Sequence, residues 1–225
     1  MHSRDAFVAL AISLALPVAA HAGTLRGTVS LRVPAAKPEA GEIRSPDARA
    51  LQRSVTDAVV YVDRIPDALE RRLAGAGRGF LFWRRPPRLP RMVERGLEFR
   101  PRVTVVVADG QLEVLNLDRV YHNVFSVSSA RRFDLGKRAP ACVDTVRFPS
   151  PGVVNLHCEF HPDELGFVLV APNHAFARPD SLGRYRLPKL PEGRYLVRVW
   201  HPWDGETRRE VAMPRHWDVR LDLGY

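Results

Sequence analysis

Three side chains in the second half of the chain have the types and spacing to hold a metal ion. Cys158 and His161 stand three residues apart in Asn155-Leu156-His157-Cys158-Glu159-Phe160-His161-Pro162, and His122 lies 36 residues before the cysteine. One thiolate and two imidazoles form the donor set of a mononuclear copper site. The cysteine closes an apolar strand that runs from Gly152 to Leu156. His161 follows on the next loop, so both can reach one ion. His122 ends another stretch, after a Val-rich segment and before Asn123-Val124-Phe125-Ser126. His157 is the strand neighbour of Cys158 and points to the opposite face, so it is not expected as a ligand. His174, His201 and His216 read as surface or structural.

The chain has a second cysteine, Cys142, and this supports a competing expectation. Met1 to Ala22 has the marks of a secretory signal peptide: Arg4 near the start, an apolar run from Ala6 to Ala20, and Ala20-His21-Ala22 as a small-x-small cleavage site. The apolar run is short of the roughly 20 residues a membrane span needs. The mature protein is therefore expected in the periplasm, where an even pair of cysteines first suggests a disulfide. If Pro149-Ser150-Pro151-Gly152 turns a hairpin, Cys142 falls opposite about residue 159, within reach of Cys158. Such a bridge would consume the thiolate and abolish the metal site.

The elements that must position these residues are strands. Leu25 to Val33 alternates apolar and polar residues, and Ala58 to Val62 is a second strand. Asp67 to Ala74 reads as a short helix. A surface excursion rich in Gly, Pro and Arg follows, with Phe80, Phe82 and Trp83 inside it. Arg102 to Ala108 and Leu112 to Leu115 flank Asp109-Gly110, a hairpin signal. Val143 to Phe148, Val153 to Cys158 and Phe167 to Ala171 complete the middle of the chain. Gly183 to Leu187, Arg194 to Trp200 and Val219 to Leu223 form a further β unit. Many short strands without a long helix indicate an all-β fold of sandwich type. The 225 residues carry 34 basic and 25 acidic side chains, a net charge of +9, and removal of Arg4 and Asp5 with the signal segment leaves that balance unchanged. Such charge suits an acidic partner protein or an anionic surface. No nucleic-acid motif is present.

The segments Phe99-Arg100-Pro101-Arg102-Val103, Asn116-Leu117-Asp118, His122-Asn123-Val124-Phe125-Ser126, Phe133-Asp134-Leu135-Gly136 and Gly152 to Pro162 resemble the cupredoxins, in particular periplasmic plastocyanin-like proteins labelled methylamine utilisation proteins. The resemblance covers roughly Leu97 to Pro172. It implies a Greek-key β-sandwich with copper held by His122, Cys158 and His161. The flanks, Gly27-Thr28-Val29, Asp57 to Val62, Gly183 to Leu187 and Pro191 to Tyr195, resemble the carboxypeptidase-regulatory, transthyretin-like sandwich. The domain reading is a signal peptide over 1–22, the first strands of that second sandwich over 23–65, a basic insertion over 66–92, a cupredoxin domain over 93–173 and the remaining strands over 174–225. Relatives carry an axial methionine three residues after the second histidine, and here that position is Glu164. The resemblance to nitrosocyanin-like red copper sites makes Glu164 a candidate fourth ligand; a solvated loop glutamate is the other reading.

Three functions stand open at this point. The first is a copper electron carrier with an acidic periplasmic redox partner. The second is a metal-free binding or scaffold sandwich stapled by Cys142–Cys158. The third is a copper site, with Glu164 bound, that acts on a small molecule.

Overall fold

The computed structural model describes residues 22–31, 53–75, 88–215 and 217–225. The signal segment (but for Ala22), residues 32–52, residues 76–87 with Phe80, Phe82 and Trp83, and His216 lie outside the described residues. Among the described residues the fold is all β apart from a 3-10 turn, Val55–Asp57, and one helix, Asp67–Gly75. No helix among the described residues is long and apolar enough to cross a membrane.

Four principal sheets stack in layers. The outermost carries, in order, Val143–Arg147, Gln111–Asn116, Arg91–Glu94 and Phe99–Arg100. The next carries Val103–Val107, Leu165–Ala171, Gly152–Cys158, Val124–Ser126 and Phe133–Asp134. Between these two lies a core of Met92, Leu112, Phe148, Val154, Leu156 and Val168, among others. On the far side, Phe176–Ala177, Val59–Val62, Gly193–His201 and Gly205–Met213 form a third sheet. The fourth holds Arg184–Arg186, Leu25–Ser30 and Val219–Arg220. The core between the third and fourth includes Leu25, Val60, Val62, Tyr185, Val197, Val199 and Met213.

The two inner sheets also bury their backs against each other. Strand alternation explains how. In Leu165–Ala171, Val168 and Val170 enter the first core, while Phe167, Leu169 and Ala171 join Val59, Tyr61, Val103, Val105 and Trp200 in a middle core. Val59–Val62 is buried at all four positions for the same reason. Strands covered on both faces read as continuous apolar runs rather than alternating ones. Phe167 meets Trp200 and Trp203 edge-on, with ring centroids 6.1 and 5.2 Å apart. Each such aromatic pair adds about 0.5–1.5 kcal/mol beyond burial.

Two expected hairpins are absent. Val103–Val107 pairs in parallel with Leu165–Ala171, and Gln111–Asn116 belongs to the opposite sheet. Asp109, at φ +65°, and Gly110 therefore carry the chain across the sandwich rather than back along it. Val143–Arg147 pairs with Gln111–Asn116, whereas Gly152–Cys158 pairs with Leu165–Ala171 and with Val124–Ser126. Pro149 to Gly152 is likewise an arch between sheets, with Phe148 anchored in the core below it. The register that set Cys142 opposite Cys158 does not exist. Cys142 stays with the outer sheet, its carbonyl accepting from Asn116 N, and both thiols are free. This corrects the expected Cys142–Cys158 staple.

Candidate metal centre

Three connections build the site at one end of the inner sheet. Cys158 is the last residue of Gly152–Cys158 and stands opposite Val124. His122 is two residues before Val124 and is fixed by a reciprocal backbone bridge to Arg138 (2.7 and 3.1 Å). The loop after Cys158 is tied to the His122 segment: Glu159 N donates to Asn123 O, and Asn123 Nδ2 donates to Glu159 Oε2 at 2.7 Å. The chain then turns. Glu164 N donates to His161 O at 2.9 Å, with Pro162 at the second position of the turn, where its fixed φ is favoured. That turn brings Glu164 back beside His161.

The four predicted side chains converge. One ligand atom from each of His122, Cys158, His161 and Glu164 lies within 4.8 Å of all the others. Cys158 Sγ is 3.5 Å from His122 Nδ1 and 3.4 Å from His161 Nδ1. Glu164 Oε2 is 2.9 Å from His122 Nδ1 and 3.5 Å from His161 Nδ1. An ion about 2.0–2.3 Å from N, O and S donors at tetrahedral angles separates those donors by roughly 3.3–3.8 Å. Three of the four distances lie in or close to that range, and the fourth is shorter. His122, Cys158 and Glu164 are buried, whereas the His161 side chain keeps 22% of its exposure.

Two acidic residues join the site that spacing alone did not single out. Glu94, 2% exposed, sets Oε1 3.1 Å from His122 Nδ1. Asp118 sets Oδ2 3.3 Å from His122 Nε2, without the alignment of a full hydrogen bond. Asp118 is itself held by the N–H groups of Gly96 (2.6 Å) and Leu97 (3.1 Å). A carboxylate at Nε2 leaves Nδ1 free to ligate, the usual supporting arrangement for a metal-bound histidine. Glu94 shares an inward face with Met92 in the strand Arg91–Glu94.

The donors strain against one another without a cation. Burial pushes the Glu94 carboxyl up to about 8, helped by the charges of Glu164, Asp118 and Asp144. Burial also pushes Glu164 up to about 7, against a hydrogen bond from Cys158 and with the charge of Asp118. The Cys158 thiol is raised by burial, although N–H groups of Asn123, Phe160 and His161 oppose this. His122 is lowered by burial and then by His161. Burial of Asp118 is outweighed by the Gly96 and Leu97 N–H groups, which hold its carboxyl below the usual range. Glu94 Oε1 and Glu164 Oε1 are buried without a hydrogen-bond partner. A bound cation answers all of these at once, so the residues fit a metal.

The metal-free protein should show this in its pH dependence. Between pH 6.5 and 8 the folded Glu94 and Glu164 retain protons that the unfolded chain has released, so stability falls as pH rises. His122, held low, acts mainly below that window. The expected loss is on the order of 2 kcal/mol. Urea denaturation of metal-free protein at both pH values measures it, and Glu94→Gln should flatten the slope. A stability that climbs over this interval would refute the assignment.

The other sequence expectations also have definite places. His157 points away from the donors and packs on Phe125, with ring centroids 5.6 Å apart. His201 is buried, between Asp204 and the Ser54 carbonyl, and His174 binds Glu70 of the helix. Trp200 is core.

No family model matches the chain, and no curated protein matches it in sequence. Solved structures similar to it include an oxidised mutant of amicyanin, at 18% identity and a TM-score of 0.34, covering 36% of this chain and 81% of that one. Another is a novel purple cupredoxin from Nitrosopumilus maritimus, at 20% identity and a TM-score of 0.34, covering 36% of this chain and 99% of that one.

Proposed function

We propose that this chain is an exported mononuclear copper protein of cupredoxin type that passes single electrons to or from an acidic partner in the periplasm. The observation that carries the reading is the convergence of His122, Cys158, His161 and Glu164 within 4.8 Å at one end of the inner sheet. A thiolate with two imidazoles selects copper among first-row metals, and the carboxylate favours its divalent state. Copper held there supplies a one-electron couple.

The protein's own residues do the rest. The backbone bridge at Arg138 and the Asn123–Glu159 contact hold the two ligand-bearing segments at fixed separation. Asp118 orients the His122 ring. Burial of three donors excludes water, while His161 offers a partly exposed edge through which an electron can pass. We assign 93–173 to the cupredoxin domain. The flanks, 23–65 and 174–225, are assigned to a carboxypeptidase-regulatory-like sandwich interrupted by it, a reading supported by the pairing of Leu25–Ser30 with Arg184–Arg186 and of Val59–Val62 with Gly193–His201. The basic insertion, 66–92, supplies charge that steers an acidic partner.

The test is a Cu(II) titration of the purified mature protein, followed by visible absorption beside a free-thiol count. One equivalent should give an intense thiolate-to-copper band and protect one of two thiols. Two free thiols with no band would end the copper reading.

A further inference from the structure

The sheet farthest from the metal centre carries a row of like charges. Arg26 stands in register with Arg186 on one neighbouring strand and with Arg220 on the other. All three are exposed. Like charges directly opposite across strands destabilise a sheet, so this row opposes the fold it sits on. Its surroundings relieve only part of it. Arg220 meets Asp222 at 3.0 Å, and the adjacent Arg184 meets Asp180 at 2.8 Å. Asp222 is further occupied by the N–H and hydroxyl of Thr28.

Arg26 and Arg186 form no ion pair or hydrogen bond with any side chain among the described residues. The acidic group that feels them is Asp218, whose carboxylate accepts from Thr24 N at 2.9 Å and is held below its usual range first by that contact. The row lines a groove of about 570 Å3, together with Thr28, Arg184 and Tyr185 and with Asp180 and Asp218, the acidic residues on its wall. That volume suits a small molecule. Neighbouring strands lie about 4.8 Å apart, so two planar guanidinium forks can grip one oxyanion together or two linked ones separately.

We propose that this groove is an oxyanion-binding site, taking a small ligand with two or more carboxylate or phosphate groups between Arg26 and Arg186. It contains none of the metal donors and does not depend on the copper reading.

Calorimetric titration of the mature protein at low ionic strength, with citrate and with inorganic pyrophosphate as probes, tests it. At least one probe should bind at one equivalent, and comparison of the two tells carboxylate from phosphate chemistry. Arg26→Gln and Arg186→Gln should each weaken binding at least tenfold. Arg208→Gln, an equal loss of charge on the exposed strand Gly205–Met213, should leave binding unchanged. Without anion, Arg26→Gln should also raise the Tm, because it removes repulsion, and salt should shrink that gain. Equal weakening by Arg208→Gln would mean diffuse attraction by a basic chain and overturn the site. So would an absence of saturable binding by both probes, or a Tm lowered by Arg26→Gln.

Discussion

Cys158→Ser is expected to abolish the thiolate-to-copper band and to weaken Cu(II) binding by more than about a hundredfold, the upper range for losing a mere supporting partner of a ligand. Cys142→Ser should leave both unchanged. The contrast follows from where the two thiols lie. Cys158 is 3% exposed, its sulfur within 3.5 Å of two imidazole nitrogens and faced by three backbone N–H groups. Cys142 is bound into the opposite sheet through its backbone contacts with Asn116 and Ala139. Serine differs from cysteine by one atom, so neither variant opens a cavity. The cores on both sides of the inner sheet include none of the metal donors. Both variants should therefore unfold in urea as cooperatively as the parent. Visible absorption with a copper-affinity titration measures the outcome. Loss of the band in both variants would show that the two sulfurs act together, and retention in Cys158→Ser would remove the thiolate from the site.

How much of this was readable beforehand depends on the kind of information needed. Cys158 ends a strand and His161 and Glu164 follow on the next short loop, so their spacing nearly dictates that they meet. Strand Val59–Val62 was recognisable because burial on both faces leaves an unbroken apolar run. Strand partners were not recognisable. Asp109-Gly110 and Pro149 to Gly152 have turn chemistry, which says that the chain changes direction but not onto which sheet it lands. The false disulfide register came from that ambiguity. Glu94 lay hidden for another reason. A glutamate at an inward position is costly unless something answers it, and sequence does not show that His122 waits opposite. Nor do alternation patterns reveal that two sandwiches share a middle core, because Phe167 and Trp200 look alike whether they face water, a sheet or each other.

Glu164→Met is expected to raise the copper reduction potential by about 180 mV and to shift the colour toward blue. The carboxylate is 1% exposed and places Oε2 at 2.9 and 3.5 Å from the Nδ1 atoms of His122 and His161, among the candidate donors rather than beyond them. A hard oxygen donor at that distance stabilises Cu(II), whereas a thioether tolerates Cu(I). A preference of roughly a thousandfold, at about 59 mV per tenfold for one electron, gives the expected shift. Methionine is unbranched and adaptable, so it can occupy the site without repacking the loop. Glu164→Gln keeps an oxygen donor without its charge and should fall between parent and methionine. Both substitutions remove a charge that holds Glu94 high, so the metal-free variants should be more stable than the parent at pH 8 while binding Cu(II) more weakly. Opposite signs for metal-free stability and Cu(II) affinity are the mark of a ligand, since a merely structural glutamate would lower both. Redox titration with visible spectra, beside urea denaturation of the metal-free forms, resolves the two. A potential within about 30 mV of the parent, half a tenfold step in relative affinity, together with an unchanged spectrum, would place Glu164 outside the coordination sphere.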